Sequence, residues 1–464
     1  MKQTEIGLIP DDWKEHTLRD LIDILTDYTA NGSFESLARN VRYLEYPSYA
    51  RLIRLTDIRT NFTNEGVYVS KYSYDFLKKS SLHGGELLLA NVGAYAGFSF
   101  IYPENLMFRG TLGPNMFLIK FFNQKIDNTF AYYAFSHGAV YNQLISKAAS
   151  SAQPKLNKED VRTCYINIPS SIQEQQRIAK ALSDVDALIS TTEKLIQKKK
   201  NIKQGTMQNL LTGKKRLPGF GDKQTDLFVP NGTHTKEVKD VSPEQIRLSA
   251  KMKQTELGEI PEDWEVKNIN KECTIKARIG WQGLKSTEYL DSGDYILITG
   301  TDFDSGFINW KSCSYVTKWR FDQDKNIQIK QGDVLITKDG TIGKVAFLNE
   351  IPMQGTLNSG VFVIRPKNPD KMDSVFLSLI FKSFWFDAFL EQITSGSTIV
   401  HLYQKDFVEF NFPLPSKEEQ TAIANVLSSM DKEIETLNTK LEKYRNLKTA
   451  MMQQLLTGKI RLVK

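Results

Sequence analysis

Two long segments of the chain place apolar residues at alternating intervals of four and three between polar residues. In the C-terminal segment these residues are Ile423, Leu427, Met430, Ile434, Leu437, Leu441, Tyr444, Met451 and Leu455. In the earlier segment they are Ile178, Leu182, Val185, Ile189 and Ile196, followed less regularly by Ile202, Met207 and Leu210. This is the spacing of a coiled-coil seam. It predicts two helices of roughly 40 residues, each about 60 Å long at ~1.5 Å per residue.

Each predicted helix has a start signal, a stop signal and a need for a partner. A Ser-x-x-Glu pattern, typical of a capping box, opens both helices, and a glycine suited to the left-handed cap conformation follows both. The residues are Ser171 with Glu174, Ser416 with Glu419, Gly213 and Gly458. A helix this long and this polar is not stable alone. The sequence therefore predicts that the two helices pack on each other.

The helices belong to a larger internal repeat. Residues 1–13 return as residues 252–264 with ten of thirteen positions identical, and residues 207–217 return as residues 452–462 with nine of eleven identical. Weaker echoes relate GELLLANVG at 85–93 to GDVLITKDG at 332–340, GTLGPNMFLIK at 110–120 to GTLNSGVFVIR at 355–365, and LTDI at 55–58 to GTDF at 300–303. A repeat of this length indicates a tandem duplication, in which each globular half precedes one long helix.

Each globular half has the pattern of a mixed α/β domain. Short apolar runs bounded by Gly, Asn or Pro predict strands at Leu87–Ala90, Asn115–Lys120, Asp333–Thr337 and Gly360–Ile364. Apolar residues at helical spacing predict helices at Phe130–Ala149 and Ser374–Ile393. We therefore divide the chain into globular halves at 1–169 and 251–414, helical regions at 170–217 and 415–464, and a linker at 218–250.

The duplication suggests how the parts are arranged. Antiparallel packing of the two helices would set the globular halves at opposite ends, related by an internal pseudo-twofold axis. Two divergent domains held apart by a rigid spacer would suit a ligand that carries two sites at a fixed distance. Duplex DNA is the ligand with a regular repeat of this kind. The predicted fold class is therefore α/β, with two mixed α/β domains separated by two long antiparallel coiled-coil helices.

Composition permits a nucleic-acid partner without requiring one. The 464 residues carry a formal net charge of +6 and a pI near 8.8, with 41% hydrophobic and 25% charged residues. A basic balance of this size is compatible with binding to nucleic acid. The three cysteines, Cys164, Cys273 and Cys313, are widely spaced and suggest neither a disulfide framework nor a metal site. A reducing cytoplasm and the lack of a signal peptide are the corresponding expectations.

Motifs of catalysis are missing from the sequence. It contains no DPPY or NPPY tetrapeptide, no GxxxxGK[ST] and no GxGxxG after a predicted strand. The histidines His16, His83, His137, His234 and His401 show no HExxH or other paired ligand spacing, so no metal site is predicted. The sequence favours a protein that binds rather than one that catalyses.

The chain resembles the specificity subunit of type I restriction–modification systems over essentially its whole length. The resemblance is carried by the repeated openings Gly258–Trp264 and Gly7–Trp13, by Glu419-Gln420 with Ile423-Ala424, by the helix ends Leu210–Leu217 and Leu455–Leu462, and by the loop Ser395-Gly396-Ser397-Thr398 that leads to Leu402 and Pro413-Leu414-Pro415. The order and duplication of these features are more specific than any one of them.

The resemblance implies a function without chemistry in this chain. In that family each globular half is a target-recognition domain that reads one half of a bipartite duplex DNA target. The helices set the spacing of the half-sites and dock two methyltransferase subunits, and restriction subunits join the full complex. S-adenosylmethionine is then expected in the methyltransferase partner, and ATP and Mg in the restriction partner, with no cofactor on this chain. The methyltransferase would modify adenine after flipping it.

Candidate DNA contacts are basic, amide, hydroxyl and aromatic residues in glycine-marked loops, because such groups contact phosphates and base edges. In the first half they are Arg39, Asn40, Arg42, Lys71, Asn91, Tyr95, Arg109 and Gln153. In the second half they are Arg278, Trp281, Gln282, Lys285, Lys338, Thr341, Lys344, Ser397 and Thr398. Partner docking and the helix seam are assigned to Ile178, Leu182, Val185, Ile189, Ile196, Ile423, Leu427, Met430, Ile434, Leu437 and Leu441.

Two alternatives stay open at this point. One is a coiled-coil adaptor that joins two protein-binding domains and has no role with DNA. The other is an enzyme whose site carries no familiar motif, against which the missing signatures weigh. Salt separates the first alternative from a DNA-binding protein, because phosphate contacts weaken steeply as salt rises.

Overall fold

A computed structural model of the chain describes residues 1–149, 153–221, 247–248, 251–280, 283–304, 306–394 and 401–462. The chain divides into two compact units. The first comprises Met1–Lys194 with Asn438–Lys464, and the second comprises Leu195–Leu437. Each unit therefore contains one globular half, here called the first or second domain, together with part of each long helix. The boundaries between domain and helix given above stay a prediction.

The first domain is built on two four-stranded sheets. Its strands are β1 (Lys2–Thr4), β2 (Gly7–Ile9), β3 (Trp13–Thr17), β4 (Ile22–Asp27), β5 (Ala50–Ile53), β6 (Val67–Val69), β7 (Ser81–Leu82), β8 (Leu87–Ala90), β9 (Ser99–Ile101), β10 (Arg109–Leu112), β11 (Met116–Phe121) and β12 (Tyr165–Pro169). Its helices are α1 (Leu18–Leu21), α2 (Phe34–Asn40), α3 (Leu55–Arg59), α4 (Lys71–Phe76), α5 (Asn128–Ser136), α6 (Ala139–Ala148) and α7 (Lys158–Arg162). One sheet is antiparallel in the order β4-β11-β8-β9, and the other has the order β6-β5-β10-β7 with β5 parallel to β10.

The second unit begins within the first long helix, α8 (Ile172–Leu211), which is followed by the short strands β13 (Lys215–Arg216) and β14 (Arg247–Leu248). The second domain has strands β15 (Met252–Thr255), β16 (Gly258–Pro261), β17 (Glu265–Asn268), β18 (Cys273–Ala277), β19 (Tyr295–Ile298), β20 (Phe303–Asp304), β21 (Phe307–Ile308), β22 (Ser314–Val316), β23 (Val334–Thr337), β24 (Val345–Phe347), β25 (Gly355–Leu357), β26 (Val361–Pro366) and β27 (Asn411–Leu414). Its helices are α9 (Ile269–Glu272), α10 (Lys318–Asp322), α11 (Ser374–Ile380), α12 (Phe384–Thr394) and α13 (Gln404–Phe407), and the second long helix is α14 (Lys417–Leu455).

The second domain repeats the strand plan of the first. Its antiparallel sheet has the order β18-β26-β23-β24, matching β4-β11-β8-β9. Its other sheet has the order β22-β19-β25 with β19 parallel to β25, matching β6-β5-β10. This correspondence confirms the internal repeat predicted from the sequence echoes. The echoed segments form equivalent strands of the two domains, namely β8 and β23, β10 and β25, and β11 and β26.

The predicted elements are found with small changes. All four predicted strands are present as β8, β11, β23 and β26, and the long helices have 40 and 39 residues. Each predicted domain helix is two helices instead of one. In the first domain Gly138, with a φ of +79°, separates α5 from α6. In the second domain a turn at Lys382–Ser383 separates α11 from α12.

The start of each long helix is part of a domain core. In the first unit Ile178 and Leu182 of α8 are fully buried with Trp13, and Met452 and Leu455 of α14 complete that core. In the second unit the core around Trp264 takes in Ile423 and Leu427 of α14 with Leu210 and Leu211 of α8. The predicted seam is therefore buried partly against a domain and not only against the other helix. Ile189, Met430 and Leu437 are only half-buried.

The helices run antiparallel within each unit, as predicted. In the first unit the ion pairs between them are Asp186 with Lys448 at 2.6 Å and Glu193 with Arg445 at 2.9 Å. In the second unit they are Lys199 with Glu433 at 2.7 Å and Lys203 with Asp431 at 2.5 Å. In both units the residue number rises along one helix as it falls along the other. Most of these side chains are partly exposed, so the pairs define register more than they add stability.

The predicted capping box is wrong at α8, where the Glu174 N–H donates to the Ser171 carbonyl at 3.2 Å and the Ser171 hydroxyl donates to Gln173 at 2.8 Å. At α14 one of its two hydrogen bonds is present. The backbone N–H of Glu419 donates to the Ser416 hydroxyl at 3.3 Å, as expected. The Glu419 carboxylate, however, does not return to the helix start. It accepts from Nη2 of Arg216 at 2.6 Å, and Arg216 also makes two 2.9 Å bonds to Asp263. The first unit repeats this arrangement with Arg461, Glu174 and Asp12.

We call each of these arrangements a clasp, defined as the arginine, its two carboxylates and the tryptophan beside them. The matched positions of Trp13 and Trp264, after a proline and acidic residues, predict packing residues of the repeat, and the full burial of both side chains confirms this. The predicted glycine caps are also confirmed. Gly213 and Gly458 have φ of +66° and +69°, and each lies against the proline that precedes the clasp tryptophan. The repeated sequence GxIPxxW and the helix end LLTG thus fold against each other in each unit.

Candidate nucleic-acid interface

In the first domain the loop after β8 is held against the segment that returns from α6. The Asn91 N–H donates to the carbonyl of Asn115 at 3.1 Å, and the Leu156 N–H donates to the carbonyl of Asn91 at 2.8 Å. The Gly93 N–H donates to the carbonyl of Pro154 at 2.9 Å. These bonds bring the predicted contacts Asn91 and Gln153 onto neighbouring segments of one surface.

A cavity of about 1060 Å³ lies beside Asn91. Its lining includes Phe34 and Tyr43 from the α2 region, and Asn91 and Lys155 from the loop and its return segment. The Oδ1 atom of Asn91 is buried and has no hydrogen-bond partner among the residues that the structure describes. Phe34 is 81% exposed and stands at the rim. Of the first-domain residues selected from the sequence, Asn91 is the one that lines this cavity.

A further group of residues selected from the sequence surrounds Tyr49, which precedes β5. The Arg109 guanidinium lies 4.7 Å from the centroid of the Tyr49 ring, and the Lys71 ammonium lies 5.7 Å from it. Lys71 also pairs with Asp75 at 2.7 Å, and both side chains are largely exposed. Lys71 and Arg109, which are distant in sequence, are therefore brought together on one ring at the start of the parallel strands β5 and β10.

The α2 residues lie next to this group. Arg39 is exposed and pairs with Glu35, one turn earlier on the helix. The Oδ1 atom of Asn40 accepts from the Tyr72 hydroxyl at 2.6 Å, which ties α2 to α4. Arg42 is exposed just beyond the helix. All four predicted basic residues of the first domain, Arg39, Arg42, Lys71 and Arg109, are thus at the surface, and the Asn40 amide is engaged within the domain.

Tyr95 lies on a different part of the first domain. Its ring is covered by the Arg59 guanidinium at 4.4 Å and contacts Phe98 at 5.6 Å between centroids. Arg59 ends α3, which follows β5, whereas Tyr49 precedes β5. Tyr95 therefore belongs to the surface of the β8–β9 loop, and the structure does not bring it to the Tyr49 group.

In the second domain the predicted contacts Lys338, Thr341 and Lys344 form the tight loop between β23 and β24. The Thr337 hydroxyl donates to the Thr341 carbonyl at 2.6 Å and accepts from the Lys344 N–H at 2.9 Å. These bonds hold Thr341 and Lys344 outward, and both are exposed. Lys338 is half-buried, with its ammonium 5.3 Å from the centroid of Phe362.

The two domains place their loops with the same backbone bonds. Lys338 donates its N–H to Gly360 at 2.8 Å and accepts from the Leu402 N–H at 2.9 Å, as Asn91 does with Asn115 and Leu156. Lys338 is thus the structural counterpart of Asn91. The backbone is repeated while the side chain changes from a neutral amide to a cation.

Residues just before and at the start of α13 extend this surface. His401 pairs through Nδ1 with the Asp339 carboxylate of the loop, and its ring packs at 4.3 Å from that of Tyr403. Tyr403 is 53% exposed, and the Lys405 ammonium lies 5.5 Å from its ring centroid. The sequence analysis assigned His401 no role and did not select Tyr403 or Lys405. A Tyr-x-Lys spacing beside the selected loop was the available signal.

Arg278 is a correction to the predicted set. It is 2% exposed, and its Nε donates to the Leu357 carbonyl at 2.9 Å while Nη2 donates to the Thr356 hydroxyl at 3.1 Å. Burial lowers the pKa of its guanidinium. The glycine-rich surroundings in sequence suggested a surface loop, but the side chain turns into the domain and serves its internal packing. Lys285 is exposed.

Four predicted contacts, Trp281, Gln282, Ser397 and Thr398, lie outside the described residues. Among the residues that are described, no group of three or more His, Cys, Asp and Glu side chains is placed to hold a metal ion. The same part of the chain contains no helix that is both long and apolar enough to cross a membrane. The described surfaces therefore offer cations, amides and aromatic rings as their chemistry.

Comparison with known proteins gives one family. Residues 10–204 and 261–443 both match the family model of the type I restriction modification DNA specificity domain. Two curated relatives come from Methanocaldococcus jannaschii. The putative type I restriction enzyme MjaX specificity subunit is 28% identical, with 99% of this chain and 96% of the relative covered. The type I restriction enzyme MjaVIII specificity subunit is 25% identical, with 98% and 94% covered.

Solved structures agree on the fold. The crystal structure of a type I restriction-modification system S subunit from M. genitalium has a TM-score of 0.55 at 15% identity, with 98% of both chains covered. A chain from a structure describing complex assembly and conformational transition of the type I R-M system has a TM-score of 0.51 at 16% identity, with 98% of this chain and 100% of that chain covered.

Proposed function

Because this chain belongs to the type I restriction–modification DNA specificity family, as its two matched regions show, we propose that its two domains each read one half of a bipartite duplex target. The chain is the non-catalytic, DNA-recognising subunit of such a system, as its curated relatives are named. The adaptor without a DNA role is the less supported alternative, because nothing in the comparisons favours it.

One observation carries the two-reader proposal. The loops after β8 and β23 have the same backbone hydrogen bonds, yet Asn91 in one stands where Lys338 stands in the other. Amides and lysines make different contacts with base edges and phosphates. A repeated scaffold with different side chains at the matching loop is what two readers of different sequences require. We propose Arg39, Arg42, Lys71, Arg109, Lys285, Thr341 and Lys344 as contacts because they are exposed.

The helices are proposed to set the half-site spacing and to dock the methyltransferase. The seam residues first assigned to docking are mostly buried within their own unit, so they are poor docking candidates. Exposed leucines on the helices are better ones. In the first unit Leu188 is 45% exposed and Leu447 is 46% exposed. The Asp186–Lys448 ion pair sets these leucines at the same level of the antiparallel helices.

Docking is tested by co-purification with the methyltransferase subunit. Leu188→Asp with Leu447→Asp should abolish recovery of the complex, since a charge within an apolar interface is costly. Leu8→Asp, at a position that is 57% exposed in the first domain, is the control and should leave recovery unchanged. Recovery by the double variant at the wild-type level would reject this docking surface.

The function itself is tested by mapping methyladenine in the source genome with and without this gene. A split motif with methyladenine in both halves, lost on deletion, is the expected result. A motif that survives deletion would contradict the proposal. The map also supplies the target sequence, which the described loops do not specify.

The cofactors of the system are proposed to belong to the partner subunits. We propose that S-adenosylmethionine binds the methyltransferase subunit and that ATP and Mg bind the restriction subunit, while this chain binds DNA and protein only. A subunit that directs modification of chromosomal DNA would act in the cytoplasm. Equilibrium dialysis of the isolated chain with labelled S-adenosylmethionine should show no binding, and stoichiometric binding would contradict this assignment.

A further inference from the structure

Each domain exposes one aromatic ring at the same place in its fold. Tyr72 is the second residue of α4 and Trp319 is the second residue of α10, and they are 67% and 66% exposed. Rings of this size are normally covered, because their burial is strongly favourable. Equal exposure at matching positions of two divergent domains indicates that a ligand covers both rings.

The local frame of the two rings is also the same. Each helix follows the edge strand of the sheet that contains the parallel pair, β6 in one domain and β22 in the other. Each begins with a hydroxyl cap, Ser70 or Thr317, and then a lysine that pairs with an aspartate four residues later. The lysine–aspartate distances are 2.7 Å for Lys71–Asp75 and 2.5 Å for Lys318–Asp322. An ammonium group is therefore fixed next to each exposed ring.

In the first domain the ring stands in basic surroundings. The Tyr72 hydroxyl donates to Asn40 at 2.6 Å, which orients the ring. Lys71 and Arg109 share the neighbouring Tyr49 ring, so two cations lie on the same side of the helix start. An anionic ligand with a flat apolar surface would match both features.

In the second domain an arginine orients the ring. The Arg320 guanidinium lies 4.8 Å from the centroid of the Trp319 ring. Its Nε and Nη2 atoms donate to Glu288 at 2.7 and 2.8 Å, which fixes the guanidinium in place. The indole is thus positioned from within the domain while two-thirds of the residue stays exposed.

We propose that Tyr72 and Trp319 are paired specificity residues, each packing on bases of the half-site read by its own domain while Lys71 or Lys318 binds an adjacent phosphate. The inference rests on the proposed function. In duplex DNA the thymine methyl group is the apolar surface exposed in the major groove, and phosphates line the groove in every sequence. The exposed lysine–aspartate pairs contribute little stability, so a phosphate can replace the aspartate as partner.

The test uses the complex with the methyltransferase subunit and duplexes that carry the mapped target. Fluorescence anisotropy gives the affinity for the intact target and for duplexes with either half-site scrambled. Tyr72→Ala and Trp319→Ala should each weaken binding to the intact target about tenfold, near the lower end of the cost of disturbing one base pair of a specific duplex site. Each variant should lose discrimination against scrambling of its own half-site and keep discrimination for the other.

Matched controls come from exposed aromatic residues elsewhere in each domain. Tyr165→Ala, at a position that is 37% exposed on β12, and Phe384→Ala, at a position that is 59% exposed on α12, should leave affinity and discrimination unchanged. Tyr72→Phe and Trp319→Phe keep a ring and should retain most of the affinity. DNA should also protect wild-type tryptophan fluorescence from acrylamide, and Trp319→Phe should lose that protected component.

The outcomes separate the inference from the proposed function. A wild-type complex that does not prefer the mapped target contradicts the proposed function. A wild-type complex that prefers it, while both alanine variants keep wild-type affinity and discrimination, overturns the inference alone. Equal losses for intact and scrambled duplexes would mean contact with the backbone only and would also overturn it. So would losses of the same size in the two control variants.

Discussion

The two units of this chain share the contacts that hold each long helix to its domain, but they differ in the side chain at a matching loop position. The clasp of the first unit joins Arg461 to Asp12 and Glu174, and that of the second joins Arg216 to Asp263 and Glu419. By contrast, the matching loop positions carry Asn91 and Lys338. Residues that hold a helix end to its domain therefore stayed alike after duplication, whereas the half-buried residues at the matching loop position diverged.

Some buried residues also have different hydrogen-bond partners in the two domains. Asp57 and Asp302 are buried at equivalent turns, and each accepts from the backbone N–H three residues earlier, at 2.8 and 2.7 Å. Asp57 then binds the guanidinium groups of Arg51 and Arg54, whereas Asp302 accepts from the Ser312 hydroxyl at 3.0 Å. The turn requires a carboxylate acceptor, but its remaining partners are interchangeable.

The largest expected effect is the loss of a clasp arginine. Arg216→Met should lower the free energy of unfolding by ~3–5 kcal/mol, because it leaves the buried Glu419 carboxylate without its cation. The Arg216 and Glu419 side chains are 4% and 2% exposed. Arg461→Met should cost about half as much, since the Arg461 side chain is 24% exposed and partly solvated. Urea unfolding, monitored separately in each domain by hydrogen exchange, measures the loss of stability in both variants.

The exposed ion pair of Arg445 is the control for that comparison. Its side chain is 49% exposed, and Arg445→Met should have no measurable effect on the free energy of unfolding, because an exposed ion pair contributes little. In each clasp variant, the backbone amides of the unit that contains the substitution should be the first to lose protection from hydrogen exchange. Equal losses for Arg216→Met and Arg445→Met would show that the clasp is not a source of stability.

The glycine caps should be about equally sensitive in the two units. A Cβ atom at Gly213 would lie 2.4 Å from Cγ of Pro261, and one at Gly458 would lie 2.6 Å from Cδ of Pro10. Alanine also pays ~1–2 kcal/mol for the left-handed conformation. Gly213→Ala and Gly458→Ala should therefore each destabilise by about 2 kcal/mol or more in thermal or urea unfolding. A neutral result at either position would contradict the matched packing.

Acid should weaken the turn that Asp57 stabilises. Burial alone would raise the pKa of Asp57, but hydrogen bonds from Arg54, Arg51 and Asn64 outweigh it and lower the pKa to about 2. A lowered pKa in the folded state means that this stabilisation is present above pH ~4 and is lost as the pH falls toward about 2. The loss amounts to about 2 kcal/mol.

This window is measured by unfolding the wild type and Asp57→Asn at a series of pH values. The difference in unfolding free energy between them should shrink between pH ~4 and ~2, because only the wild type has the titrating carboxyl. A difference that stays constant through this range would show that Asp57 is not held ionised by its arginines.

The smallest expected effect is a gain. Gly205 lies inside α8, where a Cβ atom would meet nothing within 4 Å, and the matching position of α14 is Ala450. Gly205→Ala should stabilise the protein by ~0.5–1 kcal/mol, because alanine loses less backbone freedom in a helix. Ala450→Gly should have the opposite sign. A loss of stability in Gly205→Ala would mean that the glycine has a role which its open surroundings do not reveal.

Local pattern and internal repetition predicted much of the fold. The heptad spacing predicted the long helices, because apolar residues that recur every seven residues form one face of a helix whatever its surroundings. The echoes of GELLLANVG and GTLGPNMFLIK gave the matching strands β8, β11, β23 and β26. Trp13 and Trp264 were correctly predicted as buried, since a large ring next to a proline turn at two matched positions has a packing role.

The candidate interface was predicted less completely. Loop residues such as Thr341 and Lys344 were correctly expected at the surface. Arg278 was not, because a charged residue beside glycines has no sequence feature that distinguishes an outward side chain from one bonded to the Leu357 carbonyl. Tyr72 and Trp319, which we propose as contacts, were not selected from the sequence, since an aromatic residue in a short amphipathic segment is more often part of a core.

The sequence by itself determined the repeat, because the matching residues can be read directly from the chain. It also determined the length of the helices and their glycine caps, because these depend on neighbours within a few residues. Only the tertiary structure decided the partner of each buried charge. Glu419 satisfies the local rule for a capping box, yet its carboxylate binds Arg216, which is 203 residues away. A charged side chain leaving water takes the strongest ionic partner within reach, and reach is defined by the folded chain.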